Sequence, residues 1–207
     1  MARYQFDSPY NGSGALTREQ FLFNETRIVA KLISDESLSD EEAVDAVVID
    51  NLFQFPTERM IKNIANACVR RLRVIDDDRL IDIIAHQPMD VAKQACMYAM
   101  MKQYRLVWDY MVTVIGNKLR SQDMSYGQID LNVFFMQLQE QDEAVASWSD
   151  TTIKKLKQVL NRILAENEYI DGPRADHINP VWLNSPVEDL IRANNDERAL
   201  AAFNCFS

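Results

Sequence analysis

Residues 57–73 read TERMIKNIANACVRRLR. At the 100° per residue of an α-helix, Ile61, Ile64, Cys68 and Leu72 fall on one face with Met60 at its margin, an amphipathic stripe. That face is core. The opposite face carries Arg59, Lys62, Asn63, Asn66, Arg70 and Arg73 within roughly a third of the circumference. A solvated face usually mixes Glu with Lys at spacings of three and four, which supports the helix and keeps it neutral. Here cations are mixed with amides instead, the side chains that contact phosphates and base edges.

Working outward, residues 39–50 form a shorter helix, because Ser39 and Glu42 make a capping box and Ala43, Val44, Val47 and Val48 supply a core side. Residues 51–56 interrupt the pattern, and Thr57 caps the basic helix. A short helix, a turn and a longer basic helix predict a helix-turn-helix, whose second helix enters the DNA major groove.

A second basic stretch lies at residues 149–165. Ser149 caps it; Ile153, Leu156, Leu160 and Ile163 make its core face, and Thr151, Lys154, Lys155, Gln158, Asn161 and Arg162 its exposed face. Residues 167–170, a turn at Asp171-Gly172-Pro173 and residues 177–178 then predict a short β-hairpin wing, with Arg174 near its tip. The same hairpin also reads as an ordinary surface loop.

The whole chain of 207 residues has a formal charge of −9, which taken alone opposes binding to a polyanion. Distribution reverses the inference. Residues 57–73 carry a net of +4 and residues 150–165 a net of +3, leaving −16 for the rest. Such segregation fits a molecule with a face meant for nucleic acid.

The remaining segments read as helices: 17–33, opened by a Thr17/Gln20 capping box; 79–85; 88–104, apolar nearly all round and so the central buried helix; 106–116; 129–141; 186–193; and 196–203. The fold class is all-α. Three parts follow: an N-terminal arm at 1–16, a helical half at 17–124 with the first helix-turn-helix, and a winged-helix-like half at 125–207, the division falling in the polar run before Gly127. Gly12-Ser13-Gly14 lacks a preceding apolar strand and reads as a turn rather than a phosphate cradle.

Catalytic chemistry is not legible. His86 and His177 have no motif neighbours, and no phosphate loop, zinc-hydrolase helix or serine elbow occurs. Nine methionines read as core filler, and no set of Cys and His has ligand spacing, so neither a metal nor a cofactor is expected. Three widely spaced cysteines and the lack of a long apolar run point to a reduced, cytoplasmic setting without a membrane span. The residues point to a binding protein for double-stranded DNA. RNA stays open as an alternative, as does a protein-interaction scaffold.

Four runs carry a further signal: Glu25-Thr26-Arg27-Ile28-Val29-Ala30-Lys31-Leu32, Asp50-Asn51-Leu52, Arg70-Arg71-Leu72 and Trp148-Ser149-Asp150-Thr151-Thr152-Ile153-Lys154-Lys155-Leu156. In this order and spacing they resemble the BrxA family, small accessory proteins of BREX bacteriophage-exclusion systems, themselves similar to NusB-type antitermination proteins. The resemblance spans about residues 16–206. It implies an all-α, non-enzymatic, cytoplasmic phage-defence component that binds DNA alongside other BREX subunits.

Overall fold

A computed structural model describes residues 8–206, and its regular elements are helical. In chain order they are a 3-10 segment Ser13–Thr17, α1 Phe23–Asp35, α2 Asp40–Ile49, α3 Glu58–Leu72, α4 Arg79–His86, α5 Met89–Gln103 and α6 Arg105–Asp109. A π-helical stretch Tyr110–Ile115 leads into α7 Gly116–Ser121, followed by α8 Gln128–Gln141, α9 Glu143–Ala146, α10 Asp150–Glu166, α11 Ser185–Ala193 and a 3-10 segment Glu197–Phe203. The chain is all-α. Two compact units are built from interleaved segments, one from residues 21–103 and 183–197, the other from 8–20, 104–182 and 198–206.

In the first unit, α5 is the buried centre. Val91, Ala92 and every residue from Ala95 to Met101 are buried, as its all-round apolar sequence requires, and α1, α3, α4 and α11 pack on it. Caps fix the edges of α2 and α3. The Ser39 hydroxyl accepts from the Glu42 amide while the Glu42 carboxylate accepts from the Ser39 amide, and Thr57 Oγ1 accepts from the Met60 amide. The link between these helices, residues 50–57, exceeds the three or four residues of a DNA-binding helix-turn-helix. Its bend is built by Asn51, whose side chain bonds both the amide and the carbonyl of Phe55, with Asn51 and Gln54 at positive φ. The tight turn that defines the motif is therefore missing.

α1 starts five residues later than the Thr17/Gln20 pattern predicts. Thr17 Oγ1 instead donates to the Gly14 carbonyl at the 3-10 turn, and Leu22 takes a left-handed conformation that opens α1. One reason is polar. The Phe21 carbonyl accepts a hydrogen bond from the buried Arg71 guanidinium, and a helix begun at Thr17 would commit that carbonyl to the amide of Glu25.

In the second unit, α6, the π-helical stretch and α7 follow one another without a break. At Gly116 a Cβ would lie 3.0 Å from the Cβ of Ala201 and 3.1 Å from its carbonyl carbon and oxygen, so the missing side chain lets the two backbones approach. The 3-10 segment Ser13–Thr17 packs on α10. Residues 1–7 of the expected arm lie outside the described residues; from residue 8 the chain is tied down, with Ser8 donating to Asp142, Tyr10 donating to Asp109, and Leu16 buried.

The expected wing is not built. Among the described residues there is no strand, only a single antiparallel bridge between Ser125 and His177. Residues 176–178 pair with 124–126 through Tyr126 N–H to Asp176 and Ile178 N–H to Met124; the return toward 167–170 is a backbone bond from Asn179 N–H to the Tyr169 carbonyl, which makes no ladder. Tyr169 and Ile170 are both fully buried, which a half-exposed strand with alternating faces does not allow, and the Tyr169 hydroxyl donates to the Ala202 carbonyl.

Candidate nucleic-acid interface

On α3, Arg59, Lys62, Asn63, Asn66 and Arg70 are exposed, as the helical spacing requires. Arg73, at the C-cap, is exposed but held by two carboxylates, Asp40 at 3.0 Å and Asp78 at 2.9 Å. These bonds raise its pKa, first through the Asp40 hydrogen bond. Asn66 turns its amide back on the Lys62 carbonyl, at 2.7 Å. The side chains of Lys62 and Asn66 share a groove with Asp40, Glu41 and Asp45 of α2. The basic helix thus carries no acid of its own on this face, and its neighbour supplies three along one edge.

Arg71, counted in the charge of the same stretch, is not on the surface at all. It is the largest fully buried side chain, donating to Gln103 Oε1 at 3.2 Å and to the Phe21 carbonyl. The sequence gives a signal for this: residue 71 falls one step from Leu72, three from Cys68 and seven from Ile64, on the apolar side.

On α10 the Ser149 hydroxyl caps the helix by accepting from the Thr152 amide, which fixes the rotation of the faces. Thr151, Lys154, Lys155, Gln158 and Arg162 are exposed. Lys154 and Lys155 form no ion pair among the described residues. Arg162 is engaged by Glu166 at 2.6 Å, an exposed pair one turn away. Asn161 departs from the expected face: only 6% exposed, it accepts from the Tyr126 hydroxyl at 2.5 Å, within a chain that includes Tyr110. It belongs to the polar core and does not stand on the outer face with Lys154 and Gln158. Arg174 is exposed on the loop after Gly172.

Beside α10 lies a feature the sequence did not disclose, an open groove of about 480 Å³ between α8 and α10. Gln128 and Asn132 line its α8 wall, and Lys154, Lys157 and Gln158 the other, with Asp150 at the same groove. Lys157 donates to Asn132 Oδ1 at 2.8 Å and stands 5.5 Å above the Phe135 ring, a neutral mooring that leaves its charge uncompensated by carboxylate. Gln128 and Asn132 are four residues apart, so they stand in one row along α8.

Burial is the first cause of the raised pKa values of the interior thiol and phenols. Burial pushes the Cys68 thiol up to about 12, which suppresses the nucleophilic thiolate. Tyr10, Tyr98 and Tyr126 are likewise raised, by burial first. Among the described residues no group of three or more His, Cys, Asp or Glu is placed to hold a metal ion, and no helix is long and apolar enough to cross a membrane.

Comparison with known proteins places this geometry in a family. A family model described as BrxA matches residues 8–195. The chain is similar to "BREX protein BrxA" of Bacillus cereus (strain H3081.97), with 35% identity across 84% of this chain and 87% of that one. A protein of the same description from Paramagnetospirillum magneticum is 24% identical across 84% of this chain and 86% of its own. The crystal structure of an uncharacterized protein from Magnetospirillum magneticum shares the fold, with a TM-score of 0.76 and 22% identity over 92% of this chain and 96% of that one. The chain belongs to the BrxA family.

Proposed function

We propose that this chain is a non-enzymatic accessory component of a BREX-type bacteriophage-exclusion system, and that it binds double-stranded DNA mainly through phosphate contacts. Family membership supports the system, since its relatives are named as BREX proteins. The observation that carries the DNA reading is the outer face of α10. There Thr151, Lys154, Lys155 and Gln158 stand exposed, with Lys154 and Lys155 outside any ion pair among the described residues, on a chain whose overall charge is −9. Cations kept out of ion pairs on an acidic molecule suit release of counterions from a polyanion.

On this reading α10 is the principal docking element, with Arg162 and Arg174 as flanking cations. In the other unit Arg59, Lys62, Asn63, Asn66 and Arg70 offer a second, weaker contact, because Glu41 and Asp45 repel phosphate along that edge while Asp40 is occupied by Arg73. Arg73 contributes least. An RNA-binding role is less favoured because the α10 face has no aromatic side chain on which an unpaired base could stack.

The test is polarisation binding of a labelled duplex at low salt, with single-stranded RNA as competitor. Lys154→Glu with Lys155→Glu should weaken duplex binding about tenfold or more, and Arg59→Glu with Lys62→Glu should weaken it less. Unchanged affinity in the α10 variant removes that helix from the site, and preferential displacement by the RNA selects the alternative.

A further inference from the structure

We propose that the outer face of α8 is a docking site for a partner protein, and that its occupant is an acidic amphipathic helix. On α8 the core side is made by Leu131, Phe134, Phe135 and Leu138, all buried. The opposite side carries an apolar row too, bounded at its C-terminal end by the exposed Glu140, one turn beyond Met136. Ile129, Val133 and Met136 are 69%, 38% and 53% exposed, at the i, i+4, i+7 spacing that puts three side chains in one stripe. A helix needs one apolar face to fold onto its neighbours. The second face is unexplained by the fold, and its spacing is that of the anchors by which helices recognise one another.

The flank of the stripe states the partner's chemistry. Gln128, Asn132 and Met136 follow each other at four-residue steps along α8, so the groove between α8 and α10 opens directly beside the stripe. Its cations, Lys154 and Lys157, face one acid, Asp150. Lys157 is moored on an amide and a ring rather than on a carboxylate, so it can accept an incoming carboxylate without breaking an ion pair. A partner helix with apolar side chains on the stripe and Glu or Asp turned to the groove meets both demands. Duplex DNA satisfies only the cations and leaves Ile129, Val133 and Met136 in water, so the stripe lies beyond the DNA reading and does not rest on it.

Two synthetic amphipathic helices with the same leucine face, one flanked by Glu and one by Lys, test the site on the full-length protein by fluorescence polarisation. The Glu-flanked helix should bind at least about tenfold more tightly than the Lys-flanked one. Ile129→Ser with Met136→Ser should reduce that binding by about tenfold or more and leave the affinity for a labelled duplex unchanged; these side chains are exposed, and an unaltered melting curve confirms the fold. Lys157→Glu should reverse the preference between the two helices. Failure of either helix to bind, equal binding of both, or indifference to the α8 substitutions overturns the proposal. Concentration-dependent self-association of the wild type that the same α8 substitutions abolish assigns the face to a second copy instead, and also overturns it.

Discussion

Replacing Arg71 with methionine separates a structural arginine from a nucleic-acid contact. Sequence counting places Arg71 among the cations of the basic helix, whereas its side chain is fully buried and donates to Gln103 and to the Phe21 carbonyl. Methionine keeps most of the stem's volume and removes the donors. The buried Phe21 carbonyl then loses its Arg71 donor, at a cost of about 1–3 kcal/mol, and the partly exposed Gln103 loses an ordinary hydrogen bond, about 1 kcal/mol more. A loss of about 2–4 kcal/mol is a large share of the ~5–15 kcal/mol that holds a typical domain folded. Arg71→Ala adds a cavity and roughly another 2–5 kcal/mol. Urea denaturation followed by circular dichroism reads both, in the transition of the unit formed by residues 21–103 and 183–197. The folded Arg71→Met protein should retain its affinity for duplex DNA. A variant as stable as the wild type, or a folded variant that loses DNA binding, would refute the burial argument.

Three further outcomes are expected. Gly116→Val should destabilise the protein by about 1–3 kcal/mol, because even the first carbon would stand 3.0 Å from Ala201, and thermal melting checks it. Ser39→Ala should cost about 0.5–2 kcal/mol at neutral pH through loss of the capping box. The Glu42 half of that box, whose carboxyl is held below its ordinary pKa by Ser39, contributes above the ordinary carboxylate value and fades as pH falls through the lowered one. Asp123 should titrate at about 2 by carboxyl NMR, held down first by the Ser125 hydroxyl and then by Lys118, so Ser125→Ala and Lys118→Met should each raise its midpoint. Its contribution is present above the ordinary Asp value and is lost as pH falls toward 2.

Much of the helical layout is legible because local chemistry sets it. Ser39, Thr57 and Ser149 satisfy the first free amides of α2, α3 and α10, so those helices begin where the caps stand. The all-round apolar run of α5 has only one environment that suits it. What local reasoning misses is decided by distant partners. The start of α1 is set by a carbonyl that Arg71 needs fifty residues later. Asn161 has the helical position of a surface residue, yet Tyr126 supplies a buried donor that only an amide or similar acceptor can satisfy there. The wing failed because residues 176–178 found their backbone partners at 124–126, a pairing that hydrophobic alternation does not encode. The cations of α3 share a face of their own helix, and the acids that line its edge come from α2.

The salt dependence of duplex binding, measured for the wild type and for Lys154→Ala with Lys155→Ala, tests the polyanion dock most directly. If these two lysines each neutralise a phosphate, the slope of log K against log salt should become shallower by about 1.8, two contacts at about 0.9 each. An unchanged slope, or no duplex binding by the wild type at low salt, would contradict it.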